Sequence, residues 1–191
     1  MKPLIPAAAL VLVLAGSARA ADDFAPAMQR YLDAEIRAWA QDPRIIDAVR
    51  AQNLRHAGLT PAEIDSLDQS WRAEVGSGST PTLTPVLGNT ASDFLRARVE
   101  AAGGTITEVF VMDAHGLNVA ASEPTSDYWQ GDEAKFTETF GKGPGAVHFG
   151  EVAFDESSQR YQAQVSIALV DPVTQTVVGA MTIGLDAESL F

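Results

Sequence analysis

Apolar residues in the first half of the chain recur at helical spacing. Phe24, Met28, Tyr31, Leu32, Ile36 and Trp39 fall three or four positions apart, which predicts one apolar stripe along a helix over 24–39. Asp42-Pro43 interrupts the stripe, and Ile45, Ile46, Val49 and Leu54 predict a second helix that stops near Gly58. Thr60-Pro61-Ala62-Glu63 offers a capping hydroxyl, a proline at the first helical position and a glutamate that can reach back to the cap. A third helix therefore starts there and runs through Ile64, Leu67 and Trp71 to about Val75. The Gly-, Ser-, Thr- and Pro-rich stretch 76–85 reads as a surface loop. A further helix follows from Thr90 through Phe94, Leu95 and Val99 to Gly103, with Asn89 or Ser92 as its cap.

At Gly103-Gly104 the period changes from helical to alternating. Thr105 to Met112 predicts a strand, Asp113-Ala114-His115-Gly116 a turn, and Leu117 to Ala121 the returning strand of a hairpin. Polar residues 122–131 lead to a short helix over Asp132 to Phe140, with Asp132 at its N-cap. Ala146 to Phe154, Arg160 to Val170 and Val177 to Leu185 complete the strands, separated by turns at 155–159 and at Asp171-Pro172. Helices followed by strands predict an α+β fold, here a five-stranded antiparallel meander with one helical insertion between its second and third strands.

The N-terminus adds a compartment. Lys2, an apolar run from Leu4 to Ala15 and the ending Ser17-Ala18-Arg19-Ala20 have the form of a cleavable signal peptide, cut after Ala20. The run is about a dozen residues, short of the roughly 20 that span a bilayer. Residues 1–20 are thus assigned to the signal, 21–89 to a helical region packing on the domain, and 90–191 to the strand-rich domain itself, expected in the periplasm. Twenty-five acidic residues against 13 basic ones give a net charge of −12, which repels phosphate backbones and argues against nucleic acid as a partner. There is no cysteine, so neither a disulfide nor a thiol nucleophile is available.

Catalytic patterns are poor. His56, His115 and His148 are far apart in sequence and match no metal spacing, and Gly141 to Gly145 lacks the Lys-Ser/Thr of a phosphate loop. No catalytic residue, metal or cofactor is expected.

A helix feeding a hairpin, a loop and helix, then three antiparallel strands resembles the PAS-like sensor domain, and with an export signal it resembles the Cache (PDC) superfamily. The resemblance covers roughly 90–190. Its carriers are Val109 to Ser122 with the Asp113-Ala114-His115-Gly116 turn, Thr125-Ser126-Asp127-Tyr128-Trp129-Gln130-Gly131-Asp132-Glu133-Ala134-Lys135, Phe154-Asp155-Glu156-Ser157 and Val177 to Gly184. Most Cache domains sit between two membrane helices, whereas a cleaved signal and an end at Phe191 imply that this chain hands its state to a separate protein.

The resemblance implies a ligand between the sheet and the segment 122–140. Tyr128 and Trp129 would box an organic ligand, Asp127 would pair with a cation, and Lys135 would meet a carboxylate. Asp155 occupies the position of an acidic ligand contact, and Tyr161 and Gln164 lie on the strand after it. Amino acids, small carboxylates and methylated amines all fit such a set. The function implied is a non-catalytic sensor that relays ligand state to a membrane kinase or chemoreceptor. An interaction domain with its cavity filled is the alternative, and a hydrolase the third. The amphipathic N-terminal helices suit a homodimer as well as packing on the sheet.

Overall fold

The computed structural model describes residues 17–155 and 160–191; residues 1–16 of the expected signal peptide lie outside them. Helix α1 (Ser17–Tyr31) continues through a π-helical turn (Leu32–Ile36) into α2 (Arg37–Ala40). The predicted stripe is buried along this length: Met28, Leu32 and Ile36 are fully enclosed, while Phe24, Tyr31 and Trp39 pack at its margins. Trp39 meets Phe94 edge to face at 6.1 Å. Helix α3 (Pro43–His56) starts where Asp42 accepts the Arg44 backbone N–H and proline takes the first turn.

Helix α4 (Pro61–Glu74) opens with the full reciprocal box, Thr60 accepting from the Glu63 N–H and Glu63 from the Thr60 N–H. The segment expected as loop contains a short helix, α5 (Leu83–Leu87), because Leu83 and Val86 bury together against α4. Asn89 caps α6 (Thr90–Ala101) by accepting from the Ser92 N–H.

Strands β1 (Ile106–Met112), β2 (Asn118–Ala121), β3 (Val147–Phe149), β4 (Ala153–Asp155), β5 (Arg160–Val170) and β6 (Val177–Asp186) form one antiparallel sheet. Its order, β2-β1-β6-β5-β3 with β4 also on β5, corrects the expected meander. The last strand lies at the centre, between the first and the fifth. Sequence explains why: Met181, Ile183 and Leu185 fill one face and the small Ala180, Thr182 and Gly184 the other, so both faces of β6 are covered. The expected third strand is broken in two at Gly150, where a Cβ would crowd Gln164 at 3.3 Å. The helix predicted over Asp132 to Phe140 shrinks to α7 (Ala134–Thr137) and a separate 3₁₀ turn (Phe140–Lys142). Its N-cap is Glu133, with no side-chain capping bond, rather than Asp132.

One sheet face, carrying Val109, Val111, Val165, Ile167, Met181 and Ile183, packs on α1, α3 and α6 as the main core. The other face carries Phe110, Met112 and Ala180 under Phe136 and Phe140, whose rings stack at 5.0 Å.

Gly179 sits where β6 passes β1 and α3. A methyl group there would press into the Met112 carbonyl oxygen and meet Val49 Cγ1 at 3.0 Å. Gly179→Ala is therefore expected to destabilise the fold by about 1–3 kcal/mol, the usual cost of overpacking a core. Urea denaturation measures this, and a neutral result would mean that β6 shifts freely.

Candidate functional site: a cleft between α3 and α4

The site is assembled around the β1–β2 turn. Asp113 is fully buried, and its carboxylate accepts from the His115 N–H at 2.8 Å and the Leu117 N–H at 3.0 Å, which closes the turn. It also receives Gln52 Nε2 at 3.0 Å and meets His56 Nδ1 at 2.7 Å, both from the end of α3. Asn53 adds two bonds, accepting from the Ala114 N–H at 2.8 Å and donating to the Val178 carbonyl at 2.7 Å. His115 returns the contact, its Nε2 lying 3.0 Å from the His56 carbonyl oxygen. The C-terminal turn of α3 is thus fastened to the hairpin and to β6.

Helix α4 is fastened to the segment just after β2. Asp68 accepts from the Tyr128 and Trp129 N–H groups at 2.8 and 3.0 Å and holds Arg72 at 2.8 Å. Trp71 donates from Nε1 to the Thr125 carbonyl at 2.8 Å, and its ring stacks on Tyr128 at 5.0 Å with the planes 4° apart. At the end of α4, burial pushes the pKa of Glu74 up, but bonds from the Leu83 and Thr82 N–H groups outweigh it and hold the carboxyl below its ordinary range. That anchors the loop leading into α5.

Between these fastened walls lies a cleft of about 430 Å³. Gln52, Arg55 and His56 form one side, Leu67, Pro85 and Val86 the other, with Val119 and Tyr128 beneath and Ala51 at its lip. Burial, with the charge of Asp113 adding to it, pushes the Tyr128 phenol up to about 12, while Arg55 and a bond with Gln52 pull the other way.

Of the described candidates, Tyr128 lines this cleft and the others are placed elsewhere. Trp129 pairs with Leu117 and donates from its ring to the His115 carbonyl at 2.9 Å. Asp127 is engaged by Gln130 at 2.7 Å, Ser126 at 2.7 Å and Arg72 at 3.5 Å. Lys135 is paired with Glu133 at 3.0 Å and Gln130 at 3.1 Å beside the Phe110 ring. Gln164 donates to Glu108 at 3.2 Å on the opposite sheet face. Tyr161 is half-exposed against Phe154 at the far end of the sheet. Asp155 lies on β4, but its side chain is outside the described residues.

Sequence reading missed Gln52, Arg55 and His56. A signal was present: on the helical period, Gln52 and His56 stand one turn apart on the face that carries Val49. Two polar side chains on an otherwise apolar helix face call for a buried polar partner. His56 and His115, judged unrelated for their distance in sequence, meet at Asp113.

No family model and no curated protein matches the chain. Among solved structures, it is similar to the sensor domain of the Vibrio cholerae histidine kinase DctB, at 15% identity over 90% of this chain and 55% of that one, TM-score 0.49. It is similar to the ligand-binding domain of the Campylobacter jejuni chemoreceptor Tlp3, at 13% identity over 90% and 59%, TM-score 0.42. A third neighbour is the Escherichia coli DcuS sensor domain, at 14% identity over 79% and 92%, TM-score 0.38. These neighbours are sensor or ligand-binding domains. The chain spans little more than half the length of the first two.

Two measurements test the site as built. Asp113→Ala strips four donors of their acceptor and is expected to cost about 3 kcal/mol or more, against about 1 kcal/mol for His56→Ala, which leaves the turn's own bonds intact. Equal costs in denaturation would place the anchor in the helix rather than the turn. Tyr128 favours its neutral form in the fold, so its contribution is complete below the ordinary value of 10.0 and is lost as pH rises toward about 12. Absorbance titration should show a late phenol step that Tyr128→Phe removes; its persistence would assign the step to another tyrosine.

Proposed function

We propose that the protein is an exported, non-catalytic sensor domain of single-Cache type, which binds a small molecule in the α3–α4 cleft and passes its ligand-dependent state to a separate membrane kinase or chemoreceptor. The observation that carries this reading is the cleft itself. Its 430 Å³ falls within the roughly 300–1,000 Å³ of small-ligand sites, with polar groups gathered on one wall and apolar groups on the other. Both walls are held by buried carboxylates, Asp113 and Asp68, so the site is preorganised. Relay is supported by Asn53, which links the helix bearing Gln52 and His56 to the central strand β6.

The His56–Asp113 pair has the form of an oriented base, yet the reading stays non-catalytic. Hydroxyls in the cleft belong to Thr82, Thr90 and Tyr128, and none of them is hydrogen-bonded to His56 among the described residues. An activated nucleophile needs that bond.

An interaction domain is the second reading, favoured by one surface. Phe154, Tyr161 and Phe191 are 48%, 52% and 78% exposed, and Tyr161 and Phe191 line an apolar groove with Phe24 and Val152.

Ala51 separates the two. It is exposed at the cleft lip, so Ala51→Trp fills the space without entering the core. In a metabolite thermal-shift screen, a ligand at 100 times its dissociation constant should add about 2.7 kcal/mol to the wild type. It should add nothing to Ala51→Trp, whose unliganded melting temperature is unchanged. A ligand that stabilises both proteins equally binds elsewhere, and the cleft reading then fails.

A further inference from the structure

We infer that the α3–α4 cleft takes a small organic anion, its charge held between the Arg55 guanidinium and the protonated form of His56; this rests on the cleft being the sensor's ligand site. Carboxylates outnumber basic groups 25 to 13 in this chain, yet neither Asp nor Glu lines the cleft, whereas Arg55 and His56 both do. A patch of this surface taken at random would be acidic. The cleft has the opposite character.

Arg55 is also available. Arg37, Arg44, Arg50, Arg72 and Arg96 are each paired with an aspartate, while Arg55 has no carboxylate partner among the described residues. His56 commits Nδ1 to Asp113, and its Nε2 has no partner among the described residues. Asp113 stands behind His56, is fully buried and does not line the cleft, so it orients the ring without meeting the ligand. The other titratable groups facing His56 are His115 from the β1–β2 turn, Arg55 on its own helix and Tyr128 from the segment after β2. Asp68 of α4 is turned to the Tyr128 and Trp129 amides. Leu67, Pro85 and Val86 are left to meet the carbon body of the ligand.

The sign of the pH dependence follows. With Nδ1–H donated to Asp113, a neutral imidazole presents a lone pair at Nε2 and repels an anionic oxygen; the imidazolium presents an N–H and attracts it. Binding therefore takes up a proton, and affinity falls as pH rises through the titration of His56. The Arg55 share persists at every accessible pH.

Titration calorimetry on the exported chain tests this with propionate, benzoate and inorganic phosphate as anions and choline and butylamine as cations. An anion should bind with proton uptake and with affinity decreasing from about pH 5 to 8, the interval in which imidazoles change charge. Propionate or benzoate binding without phosphate assigns a carboxylate, and the reverse assigns a phosphate. Arg55→Gln should weaken the anion on the order of tenfold to a hundredfold. His56→Asn keeps an amide donor for Asp113 and should abolish the pH dependence while the protein stays folded. Choline or butylamine binding that Ala51→Trp blocks would overturn the charge assignment and keep the cleft as the ligand site. Anion binding untouched by either Arg55→Gln or His56→Asn would also overturn it. Silence from every probe, together with an empty metabolite screen, would overturn the sensor reading as well.

Discussion

A carboxylate with no access to water needs its acceptor sites filled, and Asp113 meets that demand from two elements at once. Two of its partners are amides of its own turn and two are side chains of α3. The turn cannot close without presenting the carboxylate, and α3 cannot reach the sheet elsewhere without leaving that carboxylate short of donors. One buried charge thereby fixes the hairpin geometry and the helix position together. Asp68 repeats the device for α4, using the Tyr128 and Trp129 amides. The space left between the two anchored helices is the cleft.

Much of the fold was legible in the sequence because its helices announce their ends. Thr60-Pro61-Ala62-Glu63 and Asn89 are local signals, satisfied by bonds within a few residues, and the structure contains them as read. Strand order was not legible in the same way. β5 turns back on β3 and β4, and β6 on β5, as expected, but the place of β6 beside β1 depends on both faces of Val177 to Asp186 being covered. The small residues Ala180, Thr182 and Gly184 carry that information. Alternation alone treats them as a solvent face.

The site was harder, and for a definable reason. Tyr128 was a candidate because the resemblance set the ligand against its segment, and in the structure it lies beneath the cleft. Trp129, its neighbour, points the opposite way to satisfy the His115 carbonyl, as successive residues in an extended segment must. Gln52, Arg55 and His56 sit in a helix that reads as ordinary amphipathic packing. Gln52 and His56 are held by Asp113, some sixty positions away, and pairing over that separation leaves no periodic trace.

The floor of the cleft has one property unrelated to affinity. Trp71 and Tyr128 are stacked almost in parallel, with Tyr128 open to the cleft and Trp71 wholly enclosed behind it. Whatever rests on Tyr128 would lie one ring away from a buried chromophore that it never touches.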